Sequence, residues 1–233
     1  MKIIIQGALK IPYHHQTNCC FSYQYTCQQS TSLLTLKDYC RIFGINMIVE
    51  KMLGNQSVII SLDIDNFLFD RLDQIASSDF DLVEINSADT NLLVNIKTQY
   101  PSLKIGAGGI IDTQQLEQCY QAGVYFASSP GFLTAIAQTA SVYSMCYFPG
   151  VATISEAMAA ANIGFKQVRP YPANLAFCNA LSKYLPGLNL FPAEIEWNEA
   201  EFFLNLPSVA AVIIHNPDQK QLNGLARLGQ SII

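Results

Sequence analysis

Short apolar runs alternate with amphipathic stretches along most of the chain. Residues 57–62 form an almost continuous apolar run, and residues 66–77 place Leu68, Leu72 and Ile75 on one side. Continuous apolar runs of this length are typical of parallel strands that are buried on both faces. Apolar residues three or four positions apart indicate a helix with one buried side. The pattern therefore predicts a buried strand followed by a helix that covers it.

The same strand–helix unit is predicted eight times after residue 54. The predicted strands cover residues 57–62, 80–85, 103–109, 124–128, 143–148, 167–171, 188–191 and 209–214. The predicted helices cover residues 66–77, 90–100, 112–122, 132–139, 155–162, 175–184, 198–206 and 218–228. Asp112 or Thr113 is expected to cap the third helix, and Gly123 to end it. Eight alternating units predict an α/β fold, the (β/α)8 TIM barrel, with its functional groups where the strands end.

The first 53 residues differ from the rest of the sequence. Residues 13–32 are rich in Tyr, Gln, Cys, Ser and Thr without a clear period, and only residues 33–53 show helical spacing. We interpret residues 1–53 as an N-terminal extension packed on the barrel, where it caps one end or makes an oligomer contact. Residues 54–233 are then the barrel.

Composition excludes several classes of protein. Half of the 233 residues are apolar and 13% are charged, which is typical of a folded domain. The net charge of −5, with no basic run, argues against nucleic-acid binding. No stretch approaches the roughly 18 apolar residues that cross a bilayer. The seven cysteines are interpreted as reduced thiols of a cytoplasmic protein.

No metal site is predicted from the clusters of metal-capable residues. His14, His15, Cys19, Cys20 and Cys27 lie close together in sequence, but their spacing fits no zinc pattern. We interpret them as buried or unengaged side chains.

An acidic pair follows the first predicted strand. Asp63 and Asp65 could bind a divalent cation together with Glu84, although a solvated loop is the preferred interpretation.

Residues 106–109 are glycine-rich but lack the later spacing of a dinucleotide fingerprint. No cofactor is therefore predicted.

Four strand-end motifs resemble the 2-keto-3-deoxy-6-phosphogluconate/4-hydroxy-2-oxoglutarate (KDPG/KHG) aldolases. They are Gly106-Ala107-Gly108, Phe126-Ala127-Ser128-Ser129-Pro130-Gly131, Phe148-Pro149-Gly150-Val151-Ala152-Thr153-Ile154-Ser155-Glu156 and Tyr171-Pro172-Ala173. The resemblance covers roughly residues 56–216. It implies a TIM barrel of the class I aldolase type, a lysine that forms a Schiff base with pyruvate, a glutamate that shuttles protons, and a homotrimer.

The resemblance assigns roles to individual residues of this sequence. Glu84 matches the proton-shuttling glutamate, and Pro130 and Tyr171 match the proline and the aromatic residue of the pocket wall. Arg169 stands at the position of the Schiff-base lysine. An arginine keeps its proton at all relevant pH values, so Arg169 cannot form an imine.

Other matched positions also depart from the family pattern. The carboxylate-binding arginine is Ala88, and the threonine after Gly106-Ala107-Gly108 is Gly109. The glycines of the phosphate turn are replaced in Ala193-Glu194-Ile195, which offers a carboxylate where a phosphate would bind. Gly106, Gly109 and His215 remain candidate substrate-binding residues, with His215 at the end of the eighth predicted strand.

Lys166 is the nearest substitute for the missing nucleophile. It precedes Arg169 by three residues, and such an offset along a strand points to the opposite face. Its alternative interpretation is a solvated lysine at a helix-to-strand turn. Glu84 and Arg169 could form an interior ion pair, or Arg169 could clamp a carboxylate ligand.

Three functional hypotheses follow. The favoured one is an aldolase-like barrel that has lost Schiff-base chemistry, a pseudoenzyme that could still bind a small keto acid or carboxylate through Arg169. The second is an active carbon–carbon lyase on 2-keto acids that uses Lys166 or an imine-free mechanism. The third is an oligomeric interaction protein whose contacts lie in residues 1–53.

Overall fold

The computed structural model describes residues 52–223. Most of the predicted extension 1–53, together with His14, His15 and the cysteines at positions 19, 20, 27 and 40, lies outside the described residues. Its first described residues, Met52 and Leu53, are buried against Ile59, Leu82 and other apolar side chains. The division between an extension and a barrel stays a prediction.

Parallel strands and covering helices alternate along the described chain. The strands are β1 Val58–Leu62, β2 Leu82–Ile85, β3 Lys104–Ala107, β4 Ala127–Ser128, β5 Tyr147–Phe148, β6 Gly150–Val151, β7 Gln167–Pro170, β8 Asn189–Leu190, β9 Ala193–Ile195 and β10 Val212–His215. The helices are α1 Leu68–Ala76, α2 Thr90–Gln99, α3 Thr113–Ala122, α4 Thr134–Val142, α5 Ile154–Asn162, α6 Leu175–Tyr184, α7 Ala200–Leu204 and α8 Gln219–Asn223, with a 3-10 turn at Trp197–Glu199 before α7.

The strands form two parallel sheets. Seven strands pair in the order β5-β4-β3-β2-β1-β10-β9, and three pair in the order β6-β7-β8. The first and last strands are therefore neighbours, with Ser61 level with His215. The predicted α/β class with parallel strands is confirmed.

Two predicted strands are each followed closely by a second short strand. The strand predicted at 143–148 is seen as β5, and Pro149 separates it from β6. The strand predicted at 188–191 is seen as β8, and Phe191 and Pro192 separate it from β9. Proline has no backbone N–H for the ladder, so each pair of short strands meets at a proline.

Each strand presents one face to the helices and one inner face. On β1, Val58, Ile60 and Leu62 pack with helix residues in the larger apolar cluster, whereas Ile59 belongs to a second cluster with Phe126, Phe148 and Phe191. We call the face that carries this second cluster the inner face. Because side chains alternate along a strand, Ser61 is on the inner face of β1.

Local sequence signals set the ends of several helices. The carboxylate of Asp112 accepts a hydrogen bond from the Gln115 amide at 2.7 Å, and Gly123 ends the helix at φ +67°. Both features of α3 were predicted. The helix predicted at 198–206 begins instead as a 3-10 turn and ends at Leu204. In residues 52–223, no helix combines the length and apolar character needed to span a membrane.

Candidate functional site

A buried ion pair occupies the inner face near the strand ends. The side chains of Glu84 on β2 and Arg169 on β7 both lie on the inner face of their strands. Arg169 Nη1 lies 3.2 Å from Glu84 Oε1. The Glu84 side chain is fully buried, and that of Arg169 is 6% exposed. A pair of opposite charges in this environment is strongly coupled, because little water screens it.

Two serines complete the surroundings of the Glu84 carboxylate. Ser61 donates to Oε1 at 3.1 Å, and Ser128 donates to Oε2 at 2.6 Å. Arg169 Nη1 is also hydrogen-bonded to the Ser128 hydroxyl. Ser61 and Glu84 are register partners on neighbouring strands. The carboxylate is therefore held in one position by donors from three strands.

The guanidinium of Arg169 is only partly engaged by these contacts. Its hydrogen bonds to Glu84 and Ser128 both leave from Nη1. Its buried Nε has no hydrogen-bond partner within residues 52–223. The guanidinium carbon lies 5.4 Å from the centre of the Tyr171 ring, within the range of a cation–π contact.

A pocket of about 290 Å³ opens above this ion pair. It lies where several strands end, as the predicted architecture requires. The lining residues are Asp63, Asn86, Gly109, Pro130, Arg169, Tyr171, Glu194 and His215. Five of the eight predicted catalytic or substrate-binding residues therefore meet in one pocket: Gly109, Pro130, Arg169, Tyr171 and His215.

The other three predicted catalytic or substrate-binding residues do not line the pocket. Glu84 lies beneath it and contacts Arg169. Gly106 is buried on β3, where a side chain would collide with the Phe126 ring. Lys166 is half-buried, and the alternation that turns Arg169 inward turns Lys166 toward the helix side.

Polar side chains from the first and last strands form one wall of the pocket. Asp63 accepts hydrogen bonds from the side-chain amides of Asn86 and Asn216, both at 2.7 Å. His215 Nε2 lies 3.1 Å from Asp63 Oδ2. Partial burial alone would raise the pKa of Asp63, but the Asn86 hydrogen bond, the nearby His215 charge and the Asn216 hydrogen bond together lower it.

Tyr171 and Glu194 form another part of the pocket wall. The Tyr171 hydroxyl donates to Glu194 Oε1 at 3.0 Å. Burial, the Glu194 hydrogen bond and the Glu194 charge raise the pKa of Tyr171, against the opposing effect of Arg169. Glu194 has φ +56°, a left-handed conformation that is unusual for a residue with a side chain. The segment that the resemblance assigns to the phosphate turn is thus the short strand β9, and its Glu194 presents a carboxylate to the pocket.

The acidic cluster after β1 does not gather around a common point. Asp65 pairs with Arg71 at 2.6 Å, whereas Asp63 faces Asn86, His215 and Asn216. Across residues 52–223, no three His, Cys, Asp or Glu side chains form a group that could hold a metal ion.

Sequence reasoning missed several residues that shape the site. Asn86 follows Glu84 by two residues, so the strand period could have placed it on the same side. Ser61 is a polar residue inside an otherwise apolar run, which is a comparable signal. Asn216 had no signal, because its role depends on contacts with Asp63 across 153 positions.

The fold agrees with that of a known class of proteins, the aldolases with parallel α/β architecture. The family model described as "Aldolase: KDPG and KHG aldolase" matches residues 37–216, which is well over half of the chain. The chain belongs to the KDPG and KHG aldolase family, and the family resemblance seen in the sequence is confirmed.

Curated relatives align over limited segments. The KHG/KDPG aldolase of Escherichia coli is 33% identical over 78 residues, which are 34% of this chain and 37% of the relative. The 2-dehydro-3-deoxy-phosphogluconate aldolase of Pseudomonas aeruginosa is 26% identical over 162 residues, covering 66% of this chain and 74% of that protein. The chain thus spans little more than a third of the length of the Escherichia coli relative.

Solved structures share the fold. The 2-keto-3-deoxy-6-phosphogluconate aldolase of Zymomonas mobilis has a TM-score of 0.69 and 19% identity, over 79% of this chain and 97% of that one. The KDPG aldolase of Legionella pneumophila, captured with pyruvate as a covalent carbinolamine, has a TM-score of 0.67 and 22% identity, over 78% and 96%. At these identities the similarity defines the fold alone.

Proposed function

We propose that this protein is a member of the KDPG and KHG aldolase family that has lost the Schiff-base reaction and binds a small carboxylate. The observation that carries the proposal is the buried Arg169–Glu84 pair, in which an arginine stands where the family resemblance assigns the imine-forming lysine. Imine formation needs an amine that can lose its proton, and a guanidinium does not.

The rest of the pocket supports the same proposal. Within residues 52–223, none of the pocket-lining residues is a lysine. Glu84 accepts hydrogen bonds from Ser61, Ser128 and Arg169. A carboxylate that is engaged in this way is a poor proton shuttle, because releasing it leaves a charge unpaired.

Arg169 supplies the group that would hold a ligand carboxylate. Its Nη1 contacts Glu84 and Ser128, while its Nε makes no hydrogen bond to the described residues. The residue lines the pocket. A guanidinium can bind a carboxylate through two parallel N–H groups.

Trapping with pyruvate and borohydride, read by intact mass, tests the loss of imine chemistry. We expect no adduct on the protein. The matched control is the Arg169→Lys variant, in which an adduct would show that the pocket survives and that its nucleophile alone is absent. An adduct on the unaltered protein would contradict the proposal, and peptide mapping would identify the lysine.

The second candidate function is an active carbon–carbon lyase on 2-keto acids that uses Lys166. Membership of the aldolase family is the observation that favours it. Lys166 lies just before β7, and the alternation of side chains points it away from the face that carries Arg169, which weighs against this function. A pyruvate adduct mapped to Lys166, abolished in the Lys166→Met variant, would establish this second function.

We also propose that the two sheets are parts of one closed (β/α)8 barrel. Support comes from hydrogen bonds at the two breaks: Arg169 N to Pro149 O at 2.9 Å and Ile213 N to Pro192 O at 2.8 Å. A crystal structure in which β5 and β6 belong to separate layers, or in which β8 and β9 do, would contradict this architecture.

A homotrimer is proposed from the family resemblance. A designed porous protein cage built by fusing symmetric oligomeric domains shares the fold, with a TM-score of 0.65 over 75% of this chain. Analytical ultracentrifugation of the full chain should give three times the monomer mass. A monomer would contradict the proposal. The predicted cytoplasmic location and the predicted interaction role of residues 1–53 stay predictions.

A further inference from the structure

We propose that the pocket selects a zwitterionic ligand, whose carboxylate meets Arg169 and whose ammonium group lies near Asp63 and Glu194. The inference rests on the proposed function, because it names the chemical class of the small carboxylate. The proposed ligand differs from an unsubstituted or phosphorylated keto acid because it carries a positive charge.

The balance of charge around the pocket is the first observation. Asp63 and Glu194 line the pocket along with a single guanidinium, that of Arg169. The positive charge of Arg169 is already matched from below by buried Glu84. Three carboxylates, those of Asp63, Glu194 and Glu84, thus face one guanidinium and one histidine, so the pocket attracts a cation and repels an anion of more than one charge.

The buried guanidinium supplies the second observation, which is independent of the acidic residues. Arg169 is 5% exposed, its Nε has no partner in the described part of the chain, and it nevertheless lines the pocket. A buried polar group of this kind is stabilised when a ligand supplies the missing acceptor. A ligand carboxylate is such an acceptor, and Glu84 and Ser128 engage the guanidinium through Nη1 only.

The two carboxylates are held in place by polar neighbours. Asp63 is fixed by Asn86 and Asn216, and Glu194 is fixed by the Tyr171 hydroxyl. Both carboxylates remain partly exposed, since the Asp63 side chain is 48% accessible and Glu194 is exposed. An ammonium group has three donors and no acceptor, so it complements two fixed carboxylates, whereas a keto oxygen would meet acceptors.

Tyr171 contacts both a cationic and an anionic residue of the pocket. Its ring lies beside the Arg169 guanidinium, and its hydroxyl contacts Glu194. A single side chain, that of Tyr171, therefore contacts both the Arg169 guanidinium and the Glu194 carboxylate. The volume of about 290 Å³ corresponds to about ten water-sized volumes, which accommodates a short amino acid.

Calorimetric titration with matched pairs of ligands tests the inference. The pairs are 4-aminobutanoate against butanoate and L-alanine against pyruvate, which differ at one functional group. We expect at least one ammonium-bearing ligand to bind about fivefold more tightly than its partner. In Glu194→Gln and Asp63→Asn, that preference should fall toward one, with butanoate binding unchanged or tighter. Glu201→Gln is the matched control, because it removes the same charge from an exposed position outside the pocket.

The outcomes separate the inference from the proposed function. If butanoate and pyruvate bind as tightly as their ammonium-bearing partners, and Arg169→Met abolishes that binding, the zwitterion inference is wrong and carboxylate binding stands. If no ligand binds, or if Arg169→Met binds all of them unchanged, both are wrong. A preference that persists in Glu194→Gln and Asp63→Asn would also overturn the inference.

Discussion

Arg169 and Glu84 lie 85 positions apart in the sequence and form a buried ion pair, with Nη1 and Oε1 3.2 Å apart. The pair joins the seven-stranded sheet to the three-stranded sheet, because Glu84 is on β2 and Arg169 is on β7. Its position beneath the pocket makes it both a structural element and the floor of a binding site.

Breaking this pair should destabilise the protein strongly. The Arg169→Met variant removes the partner of the buried Glu84 carboxylate, and we expect a loss of about 3–5 kcal/mol in the free energy of unfolding. Urea denaturation measures this change. The double variant Glu84→Gln, Arg169→Met should recover part of the loss, because no unpaired charge remains.

Lys166→Met is the matched control for that experiment. It removes a positive charge from a half-buried position just before the same strand, and surface substitutions of this kind usually change stability by about 0.5 kcal/mol or less. Equal losses for Arg169→Met and Lys166→Met would contradict the assigned role of the ion pair.

Adding a methyl group at Gly106 should destabilise the fold without altering the pocket wall. A side chain there would meet the ring of buried Phe126, so Gly106→Ala should cost about 1–3 kcal/mol through overpacking. Thermal or urea unfolding measures the cost. Gly187→Ala is the control, because open space surrounds Gly187.

A second substitution distinguishes packing from a role in ligand binding. Phe126→Leu should recover part of the stability lost in Gly106→Ala, because it removes ring atoms from the point of collision. No recovery in the double variant would mean that Gly106 is required for another reason.

The three described cysteines should be unreactive in the folded protein. Burial raises the pKa of Cys119, Cys146 and Cys178 to about 12, and the thiolate is the form that reacts. At pH 8, iodoacetamide should label none of these three positions until the protein is unfolded. Peptide mapping by mass spectrometry measures the labelling, and rapid modification of the native protein at any of them would contradict the burial.

Acid should weaken the pocket wall around Asp63. The pKa of this carboxyl is lowered from 3.8 in the folded state, so its contribution to stability is present above pH 3.8 and is lost as pH falls through the folded-state value. Asp63→Asn should therefore show a smaller loss of stability between pH 4 and pH 2 than the unaltered protein, in urea titrations at each pH. Asp63 is about half exposed, so the difference is small, and an unchanged acid profile would contradict the assignment.

The sequence predicted the parts of the molecule that depend on local rules. Strand alternation predicted that Lys166 and Arg169 would point to opposite faces, and the cap residues Asp112 and Gly123 mark the ends of a helix as expected. These features need only neighbouring residues. Whether Glu84 and Arg169 would meet stayed open, because their distance depends on how the sheets come together.

Contacts between distant strands escaped prediction. The Asp63 wall brings together side chains from the ends of β1, β2 and β10, and the hydrogen bond from Asn216 spans 153 positions. The breaks at Pro149 and at Phe191-Pro192 were also missed. At each of them the sequence predicted one strand followed by a loop, whereas the structure has a second short strand after the break. Tertiary geometry, which a local pattern does not encode, decides both features.

The alternation of side chains along β7 also limits how a lysine could come to lie on the inner face of this strand. Lys166 and Arg169 have opposite parity, so a one-residue insertion or deletion that turned the lysine inward would drive the arginine into the apolar layer beside the helices. An unpaired guanidinium there would cost several kcal/mol. A lysine on the inner face of β7 is therefore gained by substitution at position 169 itself and not by a register shift of the strand.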